Sequence, residues 1–248
     1  ILSARLYHLR GETTQAINIL QQIIQFSPMN LQVCNYLIEL LIGAKMTNEA
    51  IKQTIDLAQS YEYLADFEKM RQTLTNGLRL CKEAKVDRSV SLKILYQIAD
   101  IDMQRLDWHQ AIRVYEQIRT LQPDDPNART RLVELNFRLG QDQIALSEVD
   151  SYTSLLENTG KLEKCSGFME SLVKSFPDKT NLRRSLAELY ARNNKIPQAI
   201  QHLDVIANMM LDQKDINSTI NVLHRIIALN PPNLAEYQAV LAKIKGES

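Results

Sequence analysis

Glycine and proline are scarce in this sequence. Its 248 residues include only 7 glycines and 7 prolines, whereas average usage predicts about 17 and about 12. Either the chain has few turns, or its turns are made without glycine. Sandwiches and barrels of β-strands need many turns rich in these two residues, so the composition argues against an all-β fold.

The sequence also lacks net charge and long apolar runs. Its 29 Lys and Arg residues balance 29 Asp and Glu residues. Proteins that bind nucleic acid carry a basic excess for their phosphate contacts, so the balance argues against a nucleic-acid partner. No apolar run approaches the roughly 18 residues of a membrane-spanning helix, and the hydrophobic content of 45% excludes a disordered chain. We therefore expect a folded protein without a membrane segment.

Cysteine and histidine are few and scattered. Cys34, Cys81 and Cys165 are odd in number and form no CxxC pair, so they indicate a reducing compartment, and we expect a cytoplasmic protein. No two histidines are four residues apart and no Cys/His pair has ligand spacing, which argues against a metal site. Without a GxSxG, HExxH or glycine-rich phosphate motif, we expect neither an enzyme nor a cofactor.

The prolines reveal an internal repeat. Pro123, Pro177 and Pro231 are spaced 54 residues apart. Each ends an apolar stretch, in IRTLQPDD, LVKSFPDK and IIALNPPN, and IIQFSPMN near the start is similar. Because proline cannot continue a helix, each stretch is typical of a helix that ends there. A fixed period of this kind indicates a repeat architecture.

Helical periodicity runs through the whole chain. Apolar residues recur at i, i+4 and i+7, as in Leu182, Leu186 and Leu189. The connections of about 2–5 residues predict antiparallel neighbours, and no strand pattern persists. The pattern predicts about 14 helices, near residues 2–9, 13–26, 30–43, 47–64, 67–84, 88–105, 108–121, 126–139, 142–159, 161–176, 180–193, 196–213, 216–229 and 233–245.

Three segments resemble the tetratricopeptide repeat (TPR): ARLYHLRGETTQAINILQQIIQFSP (4–28), QIADIDMQRLDWHQAIRVYEQIRTLQP (97–123) and SLAELYARNNKIPQAIQHLDVI (185–206). The resemblance implies helix–turn–helix units of about 34 residues, in which small residues let paired helices approach closely. In the unit 92–125 the signature positions hold Ile98, Ala99, Asp102, Ala111 and Pro123. The alanine of the second helix is Ala16, Ala145 and Ala199 in three other units.

The 54-residue period adds about 20 residues, or one helix, to the 34-residue unit. Helices 47–64, 142–159 and 196–213 are therefore predicted to serve both neighbours and to disturb the alternation of inner and outer layers. We predict an all-α fold, a single right-handed α-solenoid of antiparallel helix pairs over residues 1–248. Its units are about 1–30, 31–84, 92–125, 126–179 and 180–233, with a capping helix at 233–245 and a bend, not a domain boundary, at 82–91.

The resemblance implies a scaffold that binds a partner protein in a concave groove lined by the first helix of each unit. Carboxylates recur there with arginines and large apolar residues, which indicates a partner segment with Lys or Arg and one or two large apolar side chains. Alternatively, Glu134–Arg138 and Glu188–Arg192 are ordinary i,i+4 pairs on a solvated surface. The groove candidates are Glu39, Tyr96, Asp100, Met103, Gln104, Glu134, Phe137, Arg138, Arg184, Glu188 and Arg192.

Three other functions stay open at this point. The chain could be a regulatory or sensory segment of a larger protein, such as a transcription regulator, or a module for homo-oligomerisation. An RNA-reading helical repeat of the pentatricopeptide kind is disfavoured by the zero net charge.

Overall fold

The computed structural model describes residues 1–246, so Glu247 and Ser248 at the end of the predicted array lie outside it. Over that range the chain forms fourteen helices and no strand, and each helix end lies within one residue of its predicted position. The helices are α1 (Leu2–Leu9), α2 (Thr13–Phe26), α3 (Leu31–Gly43), α4 (Thr47–Tyr63), α5 (Phe67–Glu83), α6 (Arg88–Gln104), α7 (Trp108–Leu121), α8 (Pro126–Arg138), α9 (Asp142–Asn158), α10 (Leu162–Ser175), α11 (Thr180–Arg192), α12 (Ile196–Asp212), α13 (Ile216–Ala228) and α14 (Leu234–Lys245).

The helices form two compact units. Unit 1 comprises residues 1–128 and unit 2 begins at Arg129, so the division falls inside α8. Each helix packs against the next, from α1 to α7 in unit 1 and from α9 to α14 in unit 2. Because the connections are short, consecutive helices are antiparallel. The described residues therefore form an all-α array of helix pairs, and the polar segment 82–91 lies within unit 1.

Most of the turns between helices are made without glycine. Between α4 and α5, Ala65 adopts a left-handed backbone with φ of 54°. The N–H of Ala65 donates to the Glu62 carbonyl, and the N–H of Asp66 donates to the Tyr61 carbonyl, both at 2.9 Å. This is the Schellman pattern that closes a helix. Glycine occupies the left-handed position at 11, 140 and 160, whereas the same position elsewhere holds Lys45, Ala65, Lys85, Leu106, Asn194 and Lys214.

The small residues of the repeat lie where helices approach most closely. Their side chains have no exposed surface at Ala16, Ala99, Ala111, Ala145 and Ala199. A larger side chain at such a place would overpack the contact between two helices. The full burial of these alanines fits the packing role that the signature positions predicted.

One close approach explains a glycine in the middle of a helix. Gly77 lies inside α5, where glycine costs about 1 kcal/mol relative to alanine. A β-carbon built on Gly77 would lie 3.2 Å from Cγ2 of Thr54 on α4. Thr54 is itself buried, and its hydroxyl donates to the Ala50 carbonyl at 2.7 Å. Gly77 therefore lets the two long helices pack closely.

Membrane-spanning helices were not expected from the sequence. Among the helices of residues 1–246, none combines the length and the apolar character needed to cross a bilayer.

Candidate partner-binding grooves

A groove opens in unit 2 between three alternate helices, α9, α11 and α13. Its volume is about 470 Å³. Alanine and leucine side chains form an apolar floor, and charged and hydroxyl side chains form the rim. The groove, called here the unit 2 groove, is lined by Asp150, Thr153, Ser154, Glu157, Ala187, Glu188, Ala191, Arg192, Leu203, Arg225 and Leu229.

Two ion pairs join the helices that border this groove. Arg192 on α11 lies 3.2 Å from Glu157 on α9, and Arg225 on α13 lies 2.7 Å from Glu188 on α11. The alternative of an i,i+4 pair between Glu188 and Arg192 is not what the structure shows, because each side chain pairs with a residue of a neighbouring helix. Asp150 adds a third carboxylate to two guanidinium groups, so the lining has a net charge of −1.

Only some of the predicted groove residues line a groove. Glu188 and Arg192 lie in the unit 2 groove. Glu39 is exposed and lines a smaller cavity of about 290 Å³ beside Tyr36 on α3 and His8 on α1. The structure thus brings Glu188 and Arg192 together on one groove, while Glu39 belongs to a second cavity and Phe137 to a third.

The candidates on α6 do not line any of these cavities. Asp100 and Gln104 are exposed and Met103 is half-buried. The family positions select α3, α6, α8 and α11. Side chains of α9, α11 and α13 form most of the unit 2 groove, and a cavity in unit 1 is lined from α5, α7 and the start of α6, before the candidate positions.

Tyr96 on α6 has a structural role instead. Its ring packs edge-on against Tyr115, with ring centroids 6.5 Å apart. Burial raises the pKa of the Tyr96 hydroxyl, and a hydrogen bond to the Asp125 carboxylate raises it further. Asp125 in turn caps α8 by accepting from the Ala128 N–H at 2.9 Å. Tyr96 therefore joins α6 to the start of α8.

Phe137 on α8, predicted as an apolar anchor for a partner, is placed mostly in the core, although it also lines a cavity of about 260 Å³. Phe137 is only 6% exposed and belongs to the core of unit 2. Its ring centroid lies 5.0 Å from that of Phe176, and the Lys179 ammonium lies 5.1 Å from the ring centroid. A ring enclosed in this way has little surface left for a partner.

Three charged candidates on α8 and α11, namely Glu134, Arg138 and Arg184, were predicted to face the groove, and the structure places them elsewhere. Glu134 pairs with Arg131 at 2.9 Å, so the alternative of an i,i+4 pair between Glu134 and Arg138 is not what the structure shows either. Arg138 is exposed, and Arg184 on α11 is half-buried. None of these three residues lines the unit 2 groove.

Sequence reasoning missed several residues of the unit 2 groove, among them Asp150, Glu157 and Arg225. Asp150 and Glu157 are seven residues apart on α9, so they share one helix face. That spacing was visible in the sequence, on one of the helices predicted to serve two neighbours. No sequence signal paired Arg225 with Glu188, because the two residues belong to different helices.

Two buried ion pairs lie outside the groove. Arg71 donates two hydrogen bonds to Asp102, at 2.6 and 3.0 Å, and Asp102 is 1% exposed. In unit 2, Arg129 donates to Glu148 at 2.6 Å, with both side chains buried. A buried charge is tolerated when it is paired and hydrogen-bonded. These pairs hold neighbouring helices in place and are not offered to a partner.

The three cysteines are free and buried. Burial raises the pKa of each thiol, that of Cys165 to about 11. Because the thiolate is the reactive form, such thiols are inert at neutral pH. Within residues 1–246, no group of three or more His, Cys, Asp or Glu side chains has an arrangement that could hold a metal ion.

Comparison with known proteins gives likeness only to solved structures. No family model and no curated protein matches the chain. The crystal structure of MamA is similar, with 14% identity over 64% of this chain and 96% of that chain and a TM-score of 0.36. The yeast Sti1 TPR2AB domain in complex with pHSP90 is also similar (14% identity, 98% and 95% covered, TM-score 0.35).

A tetratricopeptide repeat protein from Parabacteroides merdae is similar at 12% identity, with 99% of this chain and 97% of that chain covered and a TM-score of 0.35. The architecture itself is defined by the helix pairs of each unit and by the buried alanines at the signature places. The described residues have an all-α fold of packed helix pairs.

Proposed function

We propose that the chain is a protein-interaction scaffold that captures a segment of a partner protein in the unit 2 groove. The observation that carries this proposal is a groove of about 470 Å³ formed by side chains from three successive alternate helices. Ligand sites are concave, largely preformed and of this order of size. A groove built on packed helices binds without the entropic cost of ordering a loop.

The lining favours a partner segment that carries Lys or Arg beside a large apolar side chain. The net charge of −1 attracts a cation, and Leu203 and Leu229 provide an apolar floor. The arginines of the two ion pairs at the rim are exposed and the carboxylates are partly exposed, and surface pairs contribute only about 0–1 kcal/mol. A partner cation can therefore rearrange the rim carboxylates at little cost.

We propose binding rather than catalysis as the activity. The groove lining contains no cysteine or histidine, and the thiols elsewhere are buried with raised pKa values. Free buried thiols also fit a reducing compartment such as the cytoplasm, so the partner is expected there.

Affinity capture with a matched pair of variants tests this function. In the groove variant, Asp150→Lys with Glu188→Lys makes the lining basic. In the control, Glu163→Lys with Asp212→Lys changes the net charge equally at exposed positions outside the groove. Each purified chain is used as bait in a lysate of the source organism, and bound proteins are quantified by mass spectrometry.

We expect the groove variant to lose proteins that the wild type and the control both retain, while its far-UV circular dichroism is unchanged. Equal sets of bound proteins for all three baits would reject the unit 2 groove as the binding surface. Loss from both variants would show that only overall charge matters, and it would reject the groove equally.

A further inference from the structure

A second groove lies in unit 1, between α5 and α7. Its volume is about 390 Å³. Leucines form its floor: Leu78 and Leu95 are almost fully buried, and Leu121 is half-buried. We call it the unit 1 groove. Its floor consists of leucines alone, whereas that of the unit 2 groove combines leucines with alanines.

The rim of the unit 1 groove is basic. Lys82 on α5 and Arg113 on α7 are exposed and lie on its two walls. The carboxylate of the rim belongs to Glu116, which lies 3.9 Å from Arg119 on its own helix. The guanidinium of Arg88 donates to the Leu121 carbonyl at 2.8 Å and adds positive charge beside the floor. The net charge of this rim is therefore opposite in sign to that of the unit 2 groove.

We propose that the unit 1 groove binds a protein segment in which large aliphatic side chains are flanked by Asp or Glu. The aliphatic side chains would cover Leu78, Leu95 and Leu121, and the carboxylates would meet Lys82 and Arg113. Opposite charges across an interface set the choice of partner and the rate of association. An amphipathic segment that places apolar anchors in a groove is a common mode of peptide recognition.

The lining favours a protein segment over a nucleic acid. Proteins that bind single strands stack bases on aromatic side chains along a basic channel. The unit 1 groove has leucines where such a site has aromatic rings, and it has two rim cations and one carboxylate. The proposal is independent of the proposed function of unit 2, because it concerns other residues and a partner segment of opposite charge.

Synthetic peptides test this specificity directly. Three fluorescein-labelled peptides of about 12 residues share one leucine spacing that suits an amphipathic helix. Their remaining positions are filled with Glu, Gln or Lys. Fluorescence anisotropy measures their binding to four versions of the 248-residue chain: wild type, Lys82→Glu with Arg113→Glu, Leu121→Asp, and a control, Lys164→Glu with Lys174→Glu. The control residues are exposed on α10 and change the net charge by the same amount.

For the wild type we expect affinity to fall in the order Glu, Gln, Lys, with at least about a tenfold difference between the first and the last. The Lys82→Glu/Arg113→Glu variant should reverse this order and the control should keep it. Leu121→Asp should weaken all three peptides, with folding checked by circular dichroism. Added salt should weaken the Glu peptide most, because the rim is exposed.

Several outcomes would overturn the proposal. One is no binding of the Glu peptide to the wild type up to about 1 mM. Another is the same order of peptides in the wild type and in the Lys82→Glu/Arg113→Glu variant. Unchanged binding to folded Leu121→Asp would show that the peptide sits elsewhere. In the lysate capture, the Lys82→Glu/Arg113→Glu variant should retain the proteins that bind the unit 2 groove, so failure of this proposal is distinguishable from failure of the function proposed for unit 2.

Discussion

Replacing Ala65 by glycine should stabilise the protein, although glycine destabilises the interior of a helix. Ala65 holds a left-handed backbone at φ 54° between α4 and α5. That conformation costs a residue with a β-carbon about 1–2 kcal/mol, whereas the extra freedom of glycine in the unfolded chain costs about 0.4–1 kcal/mol. The difference predicts a gain of about 1 kcal/mol in the free energy of unfolding.

Ala44 provides a matched control, because it also ends a helix and is exposed. Its φ of −79° suits any residue, so Ala44→Gly should lose about 0.5–1 kcal/mol. Urea unfolding followed by far-UV circular dichroism measures both variants. In a thermal scan, 1 kcal/mol corresponds to about 2–4 °C for a chain of this size. If Ala65→Gly and Ala44→Gly changed stability in the same direction, the assigned backbone strain at Ala65 would be refuted.

Three further predictions concern buried groups. Asp102→Ala should cost up to about 3–5 kcal/mol, since it leaves the Arg71 guanidinium half-buried without its carboxylate; urea unfolding measures this loss. Phe137→Ala should cost about 3–5 kcal/mol in unfolding assays because it empties a core site, yet the folded variant should bind partners as the wild type does. Burial and then the Arg183 guanidinium lower the pKa of His202 from its ordinary 6.5. The stability that neutral His202 contributes is therefore fully present above pH 6.5 and is lost as the pH falls through the lower pKa of the folded state. In a series of unfolding midpoints measured at different pH, His202→Phe should remove this loss of stability at acidic pH.

Each of these predictions has a matched comparison. Adding Arg71→Met to Asp102→Ala should recover part of the lost stability, and a purely additive loss would contradict a direct pair. Loss of partner binding by a fully folded Phe137→Ala variant would restore Phe137 as an anchor. For His202, which also stacks on Tyr190 with ring centroids 5.6 Å apart, an unchanged pH dependence in His202→Phe would show that another group titrates. His224 is exposed, so His224→Phe is the control and should leave the pH dependence intact.

The ends of the helices were predictable because they depend on neighbours in sequence. Pro123 and Pro177 each follow the end of a helix, because proline lacks an N–H and disfavours the helical conformation of the residue before it. The buried alanines, such as Ala111 and Ala199, were likewise marked by their repeat positions. The turns were less clear, because a left-handed Lys45 or Ala65 carries no residue signal of its own.

The groove residues were only partly predictable, since their partners lie on other helices. Glu188 and Arg192 have the spacing of a pair within one helix, but such a pair contributes only about 0.2–0.5 kcal/mol. Helix packing brings Arg225 close to Glu188 and Glu157 close to Arg192, and these contacts outweigh the small preference for a pair within one helix. The same argument applies to Glu134, which pairs with Arg131 rather than with Arg138.

Local patterns in the sequence were enough to recognise short antiparallel helices joined by turns largely free of glycine. Apolar spacing, prolines and small residues act over a few positions, so they can be recognised without the fold. Which side chains share a groove depended on packing, which pairs Arg225 with Glu188 across two helices and places Phe137 mostly in the core of unit 2. These contacts join residues that are far apart in the sequence, so no local pattern marks them.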